Sequence, residues 1–478
     1  MIKGGYPIYS STALRGRVGN TSSYKYSNIE SSQAAKIGGR TYYHITADGR
    51  SLGWVSSKAM QKNVISVAHN IDMFYGNIGD WQKTIDAVNY ATDGTGTYVP
   101  WKYVTPSKRR ISLAKKGTTH VTYSYGKAHA AANFTVRRNE TENDGKENNG
   151  FDDFGLHGYI FHLPWAVPTG HSRNWTGHFH NETHDTLFHS KKGKRVTWRT
   201  RLFQPSFLSV SRDNRGKDPN AILPRHPEGM AVGGGWAYST YLTNRDTTRA
   251  RIIAFNLNKF RSHRSHFAIQ DFAKMSASQA RRYAKSGYIK VGPEIKVGHG
   301  QMLTYAGGHL YLLADNMKYY KNYNEMMEIS PRTLCVTRIS DFNAMDRYFH
   351  YAQMTSSNTM YALSDNGAKG FEEIWKITRK GAGRPWKAKI VSEMSKRLIN
   401  RGPIQGMAVH GNHIILATND RTATIQFYPN GNCRKRAKVI NHSNYRTRRE
   451  TEGIAYNNGH LYQQMNLRGE FLTTNNLK

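Results

Sequence analysis

Apolar positions in the second half of the chain fall into short runs with a period of two, and the runs come in pairs. Each pair opens on a similar phrase: Pro-Glu-Gly-Met-Ala-Val at Pro227–Val232, Ile-Gln-Gly-Met-Ala-Val at Ile404–Val409, and Thr-Glu-Gly-Ile-Ala-Tyr at Thr451–Tyr456. Looser copies run from Gly300 to Tyr305 and from Tyr351 to Met354. A turn and a second apolar strand follow each copy, at Trp236–Leu242, Leu310–Ala314, Thr359–Leu363, His413–Thr418 and His460–Met465. Two such strands around a tight turn predict a β-hairpin. Hairpins that recur at steps of 47 to 73 residues predict the blades of a β-propeller. Five copies predict five blades, with six the alternative.

The step from Glu228 to Gln301 is 73 residues, whereas the later steps, through Gln353, Gln405 and Glu452, are 52, 52 and 47. Ser276-Ala277-Ser278-Gln279 fits a capping box and Gly287 a helix stop, so an inserted helix carrying Arg281, Arg282 and Lys285 accounts for the excess. A last strand near Leu472 is expected to pair with the first blade and close the ring, which removes free sheet edges. Strands at Thr119–Tyr125, Ala128–Val136, Gly158–Leu163 and Arg195–Leu202 are expected to form that first blade. The propeller is therefore placed at residues 118–478. Residues 62–117 read as a helical and basic bridge: Asp80 can cap a helix with Trp81, Ile85 and Val88 on its apolar face, and Lys108-Arg109-Arg110 and Lys115-Lys116 follow.

Residues 1–61 form a separate small all-β unit. Tyr6–Tyr9, Leu14–Val18 and Arg40–Ile45 are its strands, Asp48–Ser51 its turn, and Gly53-Trp54-Val55 closes it. The opening Tyr6-x-x-Tyr9, the Gly38-Gly39 turn before Tyr42-Tyr43 and the Gly53-Trp54 dipeptide resemble the GW modules of Gram-positive surface proteins and autolysins. That resemblance implies a Src-homology-3-like barrel that binds cell-wall polymers, lipoteichoic acid among them. The residues point to the same chemistry. Eight Lys/Arg against two acids, Glu30 and Asp48, with tyrosines interleaved, offer cations for phosphate and aromatic faces for sugars. Arg15, Arg17, Tyr42, Tyr43, Arg50 and Trp54 are the candidate ligand-binding residues here; for Trp54 and Tyr42 the competing role is core of the small barrel.

The propeller phrases, at His226–Gly229, Pro403–Gly406 and Glu450–Gly453, resemble the helveticin-like class III bacteriocins of lactic acid bacteria. The resemblance implies a secreted antibacterial protein, with no catalytic site to carry over. Together the two likenesses describe an all-β, non-enzymatic envelope-binding protein; an adhesin for host glycans and a wall hydrolase with an unrecognised active site are the alternatives.

Charge agrees with an anionic partner. Over 478 residues, 68 Lys+Arg stand against 33 Asp+Glu, a net +35, and such a field attracts polyanions of any kind, teichoic acid, acidic glycan or nucleic acid. No recognised nucleic-acid module accompanies it, so no specific nucleic-acid partner is expected. No apolar run approaches the ~18 residues of a membrane span. Met1–Gly5 has no apolar core, so the export signal of a secreted protein is not expected within this chain. Two cysteines, Cys335 and Cys433, make no disulfide framework, and their pairing is left open.

In a propeller the innermost strands face the channel, so Glu228, Gln301, Gln405 and Glu452 are expected at one mouth of it. There they either fix blade spacing or bind a ligand, with His226, Glu228, Gln405 and Glu452 as the candidates. Seven histidines, His157, His162, His171, His178, His180, His184 and His189, fit no single helix or strand face, and no metal is predicted. Asp152-Asp153 and Glu372-Glu373 are not set against a second carboxylate. No phosphate-cradling loop or nucleophile elbow is present, so neither catalytic residue nor cofactor is predicted.

Overall fold

The computed structural model describes residues 2–24, 29–47, 50–60, 63–74, 81–92, 99, 101–137, 181–187, 194–204, 227–242, 249–260, 286–314, 324–342, 349–366, 371–395, 404–418, 421–427, 438–444, 451–465 and 470–474. Among these the regular elements are strands and short 3-10 turns.

Five repeat units build the blades: blades 1, 3 and 4 are four-stranded antiparallel sheets, blade 2 gives four antiparallel strands to a larger sheet, and blade 5 is a five-stranded sheet. Blade 1 runs through Pro227–Gly233, Trp236–Leu242, Arg249–Asn256 and Ile289–Lys296. Blade 2 uses Leu303–Ala306, His309–Ala314, Asn324–Ile329 and Val336–Phe342. Blade 3 spans Phe349–Ser395 and blade 4 Ile404–Asn444 in the same order. Blade 5 has three strands from the C-terminus, Thr451–Asn457, His460–Met465 and Glu470–Thr474. Its fourth and fifth strands come from far upstream: Lys194–Phe203 pairs antiparallel with Glu470–Thr474, and Asn181–Leu187 pairs antiparallel with Lys194–Phe203. The five inner strands contact one another in a closed cycle. The fold is a five-bladed β-propeller whose two ends are fastened within one blade.

Apolar clusters fill the seams between blades. Met302, Tyr311 and Met326 of blade 2 pack with Phe349, Trp375 and Trp386 of blade 3. Leu202 and Phe471 of blade 5 pack with Tyr241, Ile253 and Phe255 of blade 1. Hairpin turns follow the chemistry of the tight primed turns, with consecutive positive φ at Gly234 (59°) and Gly235 (81°) and at Gly307 (56°) and Gly308 (81°).

Two expectations upstream need correction. Gly117–Tyr125 and Ala128–Arg137 do not belong to a blade with Lys194–Phe203. They continue blade 2 outward: Val336–Phe342 pairs in parallel with Asn70–Phe74, which pairs in parallel with Ala128–Arg137, giving an eight-stranded sheet. The helix expected over Trp81–Val88 is a strand, Trp81–Lys83, a 3-10 turn, Thr84–Ala87, and a second strand, Val88–Thr92. Trp81, which a helix would have buried, is 49% exposed, while Gln82 is buried. The polar residues Gln82, Thr84 and Asp86 take the buried places because each finds a partner there. Gln82 donates to Asp86 at 2.9 Å and Thr84 to the Lys108 carbonyl at 2.5 Å.

This upstream segment shares one core with blades 1 and 2, Val88, Val121 and Phe134 meeting Tyr238, Leu310 and Met327. A partly buried charge network reinforces the join. Asp72 accepts from Arg137 at 2.6 Å and from Arg338 at 2.7 Å, while Arg379 of blade 3 binds Glu328 of blade 2. Arg379 also lies over the Trp386 ring at 4.5 Å. Cys335 is a buried thiol; Cys433, the 276–285 stretch of the inserted helix, Gly158–Leu163 and all the clustered histidines except His184 lie outside the described residues.

Candidate envelope-binding module and the mouth of the propeller

The N-terminal unit is a five-stranded antiparallel sheet in the spatial order Arg17–Asn20, Pro7–Tyr9, Arg50–Ser56, Arg40–Ala47, Ile29–Ile37. Ile8, Ile45, Val55 and Ala59 form its core, with Tyr43 packed against them. Gly53 explains half of the Gly-Trp dipeptide. Its φ is +125°, and a Cβ there would lie 2.2 Å from the Tyr9 carbonyl oxygen. Only glycine allows the third strand to approach the second so closely.

Trp54, the other half, is set by register. It stands opposite Tyr9 on one side and His44 on the other, and Tyr9 in turn stands opposite Arg17. Directly opposed residues project to the same face, so Arg17, Tyr9, Trp54 and His44 form one row across the sheet. The row is graded from exposed Arg17 to half-buried Tyr9, Trp54 and His44, with Trp54 edge-on to His44 at 5.4 Å. Arg15 and Arg50 are exposed as well, whereas Tyr42 is buried to 9% exposure. Of the six candidates, three arginines and Trp54 are open to a ligand, while Tyr42 and Tyr43 serve packing. Tyr9 and His44 join the row although neither stood among the candidate ligands. Their signal is strand pairing, which no single run of residues displays. A half-buried aromatic row ending in a guanidinium can hold a sugar or polyol face against the rings while the cation takes a phosphate.

The mouth of the propeller is built at a bulge. In blades 1, 4 and 5 the pairing of the first two strands slips by one residue, between Pro227 and Met230, Ile404 and Gly406, and Thr451 and Gly453. The extra residues are Glu228, Gln405 and Glu452, and a bulge re-aims the side chain it carries. Counting back from the hairpin turn, Gln301 falls at the same point of blade 2, two residues ahead of its first strand and without a slip in the pairing. In blade 3 the slip falls between Phe349 and Tyr351, so the fifth member is His350. The repeat phrase had aligned Gln353 there; a second slip, between Met354 and Ser356, displaces it along the strand. Gln353 instead donates to Thr304 of blade 2 at 2.6 Å.

Glu228, Gln405 and Glu452 are buried to 6%, 9% and 4% exposure. Glu228 contacts His299 Nε2 at 2.9 Å. Gln301 donates to Gln405 at 3.2 Å, a bond from blade 2 to blade 4 that passes over blade 3's place in the ring. His226 lies outside the described residues. The glycine after each Glu or Gln is a seam device: a Cβ on Gly229 would lie 2.5 Å from the Gly300 oxygen, and one on Gly406 2.8 Å from the Ile454 nitrogen. Seams are also stitched by side chains onto the next blade's carbonyls, Thr240 to Gly300 at 2.7 Å, Gln464 to Glu228 at 3.2 Å, and Tyr351 to Ile404. Elsewhere, the Glu372-Glu373 pair has a structural use: Glu373 is buried and accepts from Trp375 Nε1 at 3.1 Å. Among the described residues no cluster of three or more His, Cys, Asp or Glu is placed to hold a metal.

Residues 4–61 match the GW (Gly-Tryp) dipeptide domain. A GW domain suggests cell-wall binding and, with it, extracellular or wall association. No curated protein matches the chain. Among solved structures it is similar to BamB from Moraxella catarrhalis, at 9% identity and a TM-score of 0.25, over 62% of this chain and 99% of that one. It is also similar to a catalytically inactive virginiamycin B lyase from Staphylococcus aureus, at 11% identity and 0.29, over 62% and 99%. A subtype N10 neuraminidase-like protein of A/little yellow-shouldered bat/Guatemala/060/2010 gives 11% and 0.32, over 59% and 86%. Likeness at this level transfers no activity, and the propeller stands on its own strand order. No helix is long and apolar enough to cross a membrane among the described residues.

Proposed function

We propose that this is a secreted, non-enzymatic antibacterial protein that attaches to Gram-positive envelopes through anionic wall polymers, lipoteichoic or teichoic acid, with the propeller as effector. The observation that carries the reading is the row Arg17–Tyr9–Trp54–His44 on a module of the GW class, flanked by exposed Arg15 and Arg50. The net charge of +35 supplies long-range attraction to the same polymers. A ligand entering the propeller mouth would have to displace the Gln301–Gln405 bond, so attachment is assigned to the module.

The test is a pull-down of the whole protein on lipoteichoic acid, peptidoglycan and heparin over a salt series, alongside a killing assay on Gram-positive cells. Retention on lipoteichoic acid that falls about tenfold in Arg15→Ser/Arg17→Ser/Arg50→Ser, together with killing, supports the proposal. Tight heparin binding without killing overturns it in favour of an adhesin. Release of soluble sugar or peptide from purified walls overturns the non-enzymatic part.

A further inference from the structure

Four large hydrophobic side chains are exposed among the described residues, and three of them, Trp81, Trp101 and Tyr103, fall within one short stretch outside the GW module. From Trp81 to Arg137 the chain carries nine Lys/Arg and two acids, Asp86 and Asp93. Asp86 is buried at 4% exposure and accepts from Gln82, so it does not offset the cations outside.

The strands Trp81–Lys83 and Arg110–Ser112 pair antiparallel, with Lys83 opposite Arg110 and Trp81 opposite Ser112. The central pair, Gln82 and Ile111, is buried, while Trp81, Lys83 and Arg110 are exposed. One face of this two-stranded sheet therefore sets a flat indole beside two cations. Like charges directly opposed across a strand pair work against folding, and among the described residues neither Lys83 nor Arg110 has a carboxylate partner. A fold that keeps two repelling cations and an exposed tryptophan together has what an anionic chain with apolar CH faces would bind: phosphate relieves the repulsion and a sugar or polyol unit covers the ring. The turn Trp101–Tyr103 repeats the composition, with Lys102 Nζ 5.1 Å from the centre of the Tyr103 ring.

We propose that the Trp81/Lys83/Arg110 face is a second binding site for the anionic wall polymer, independent of the GW module. This rests on the wall-attachment reading, and it gives one copy of the module a partner site on the same molecule, so that two weak contacts act together on one polymer chain.

The experiment titrates purified lipoteichoic acid into the full chain, comparing wild type, Trp81→Ala, Lys83→Ser/Arg110→Ser, and the module variant Arg15→Ser/Arg17→Ser/Arg50→Ser. Circular dichroism and melting curves verify each fold. The double charge variant is expected to raise Kd about tenfold and flatten the salt dependence. Trp81→Ala is expected to raise Kd with the salt dependence unchanged, a split that a merely electrostatic surface would not give. If both face variants bind as wild type while the module variant weakens, this inference falls and the wall-attachment reading stands. If all variants bind alike, both fall. If the face variants lose affinity for double-stranded DNA but keep that for lipoteichoic acid, the site belongs to nucleic acid and the inference falls. Should the double charge variant fail to fold, Lys83→Ser alone carries the same comparison.

Discussion

Replacing Gly229 by alanine tests whether the repeated phrase exists to let inner strands meet. The new Cβ would lie 2.5 Å from the Gly300 oxygen, 2.6 Å from the Gln301 oxygen and 2.8 Å from the Gln301 carbonyl carbon. All three are backbone atoms of the neighbouring blade, so no rotamer change clears them. Ordinary contact begins about 1 Å further out, and the seam between blades 1 and 2 must open by that much. The same seam holds two buried hydrogen bonds, Gly229 N to Thr240 Oγ1 at 2.8 Å and Thr240 Oγ1 to the Gly300 oxygen at 2.7 Å. Overpacking costs about 1–3 kcal/mol, and a buried hydrogen bond stretched past use about 1 kcal/mol. The expected loss is therefore about 2–4 kcal/mol. In a closed ring the opened seam cannot be absorbed by splaying one end. Equilibrium urea denaturation followed by tryptophan fluorescence measures it as a lower midpoint at unchanged slope. Gly406→Ala should behave alike, its Cβ 2.8 Å from the Ile454 nitrogen and 2.9 Å from the Gly453 Cα. Gly19→Ala, whose Cβ meets only Ile8 Cδ1 at 3.7 Å, is the control and should stay within about 0.5 kcal/mol of wild type. A Gly229→Ala midpoint equal to that of the control would refute the reasoning.

Phe471→Ala should cost about 3–5 kcal/mol, because Phe471 is fully buried and its ring meets Phe255 of blade 1 at 5.8 Å; limited proteolysis should then cut first near the C-terminus, and resistance equal to wild type would count against closure within blade 5. Asp72→Asn should destabilise by about 1–3 kcal/mol, since it takes from Arg137 and Arg338 the carboxylate they share in a partly buried site, Arg338 keeping Glu328 at 3.9 Å; a double-mutant cycle with Arg137→Met reads the coupling, and additive losses would contradict it. His410 is exposed overall, but its ring lies 4.4 Å from that of Tyr456, and this local desolvation lowers its pKa. The folded state thus binds its proton less readily than the unfolded chain, so this site favours the fold fully above about pH 6.5 and progressively less as pH falls toward the folded value. Melting curves from pH 7.5 to 5.5 should show a smaller drop for His410→Gln than for wild type.

The propeller was legible because its repeat unit is local. A hairpin such as Trp236–Leu242 after Pro227–Gly233 advertises itself by period and turn, and five such hairpins counted five blades. Closure through Glu470–Thr474 followed from the need to leave no free edge. The upstream strands were assigned to the wrong partner because parallel pairing of Asn70–Phe74 with Ala128–Arg137 and Val336–Phe342 has no turn to announce it. The stretch Trp81–Val88 read as helix because spacing alone cannot show that Gln82, Thr84 and Asp86 have buried partners and Trp81 has none. In the GW module the dipeptide was visible, but the row it joins was not, because Tyr9, Trp54 and His44 meet only through register.

The repeated phrase answers two separate demands. Its glycine answers to the seam: Gly229, Gly406 and Gly453 each meet the next inner strand within 2.9 Å of an added Cβ, whereas blades 2 and 3 carry Met302 and Tyr351 at that place and fill their seams with side chains. The residue before it answers to the bulge, which turns it out of the ladder and releases it from strand pairing. A position freed from pairing can vary, and it does, as Glu228, His350, Gln405 and Glu452 at the bulges of blades 1, 3, 4 and 5, while Gln301 stands just ahead of the first strand of blade 2, where no bulge occurs. Spacing required by packing would select one residue type in every blade; four bulge positions equivalent in backbone yet holding two carboxylates, an amide and an imidazole are not explained by spacing. The glycine therefore specifies the architecture, and chemistry distinctive to this propeller is to be sought in the residue preceding it.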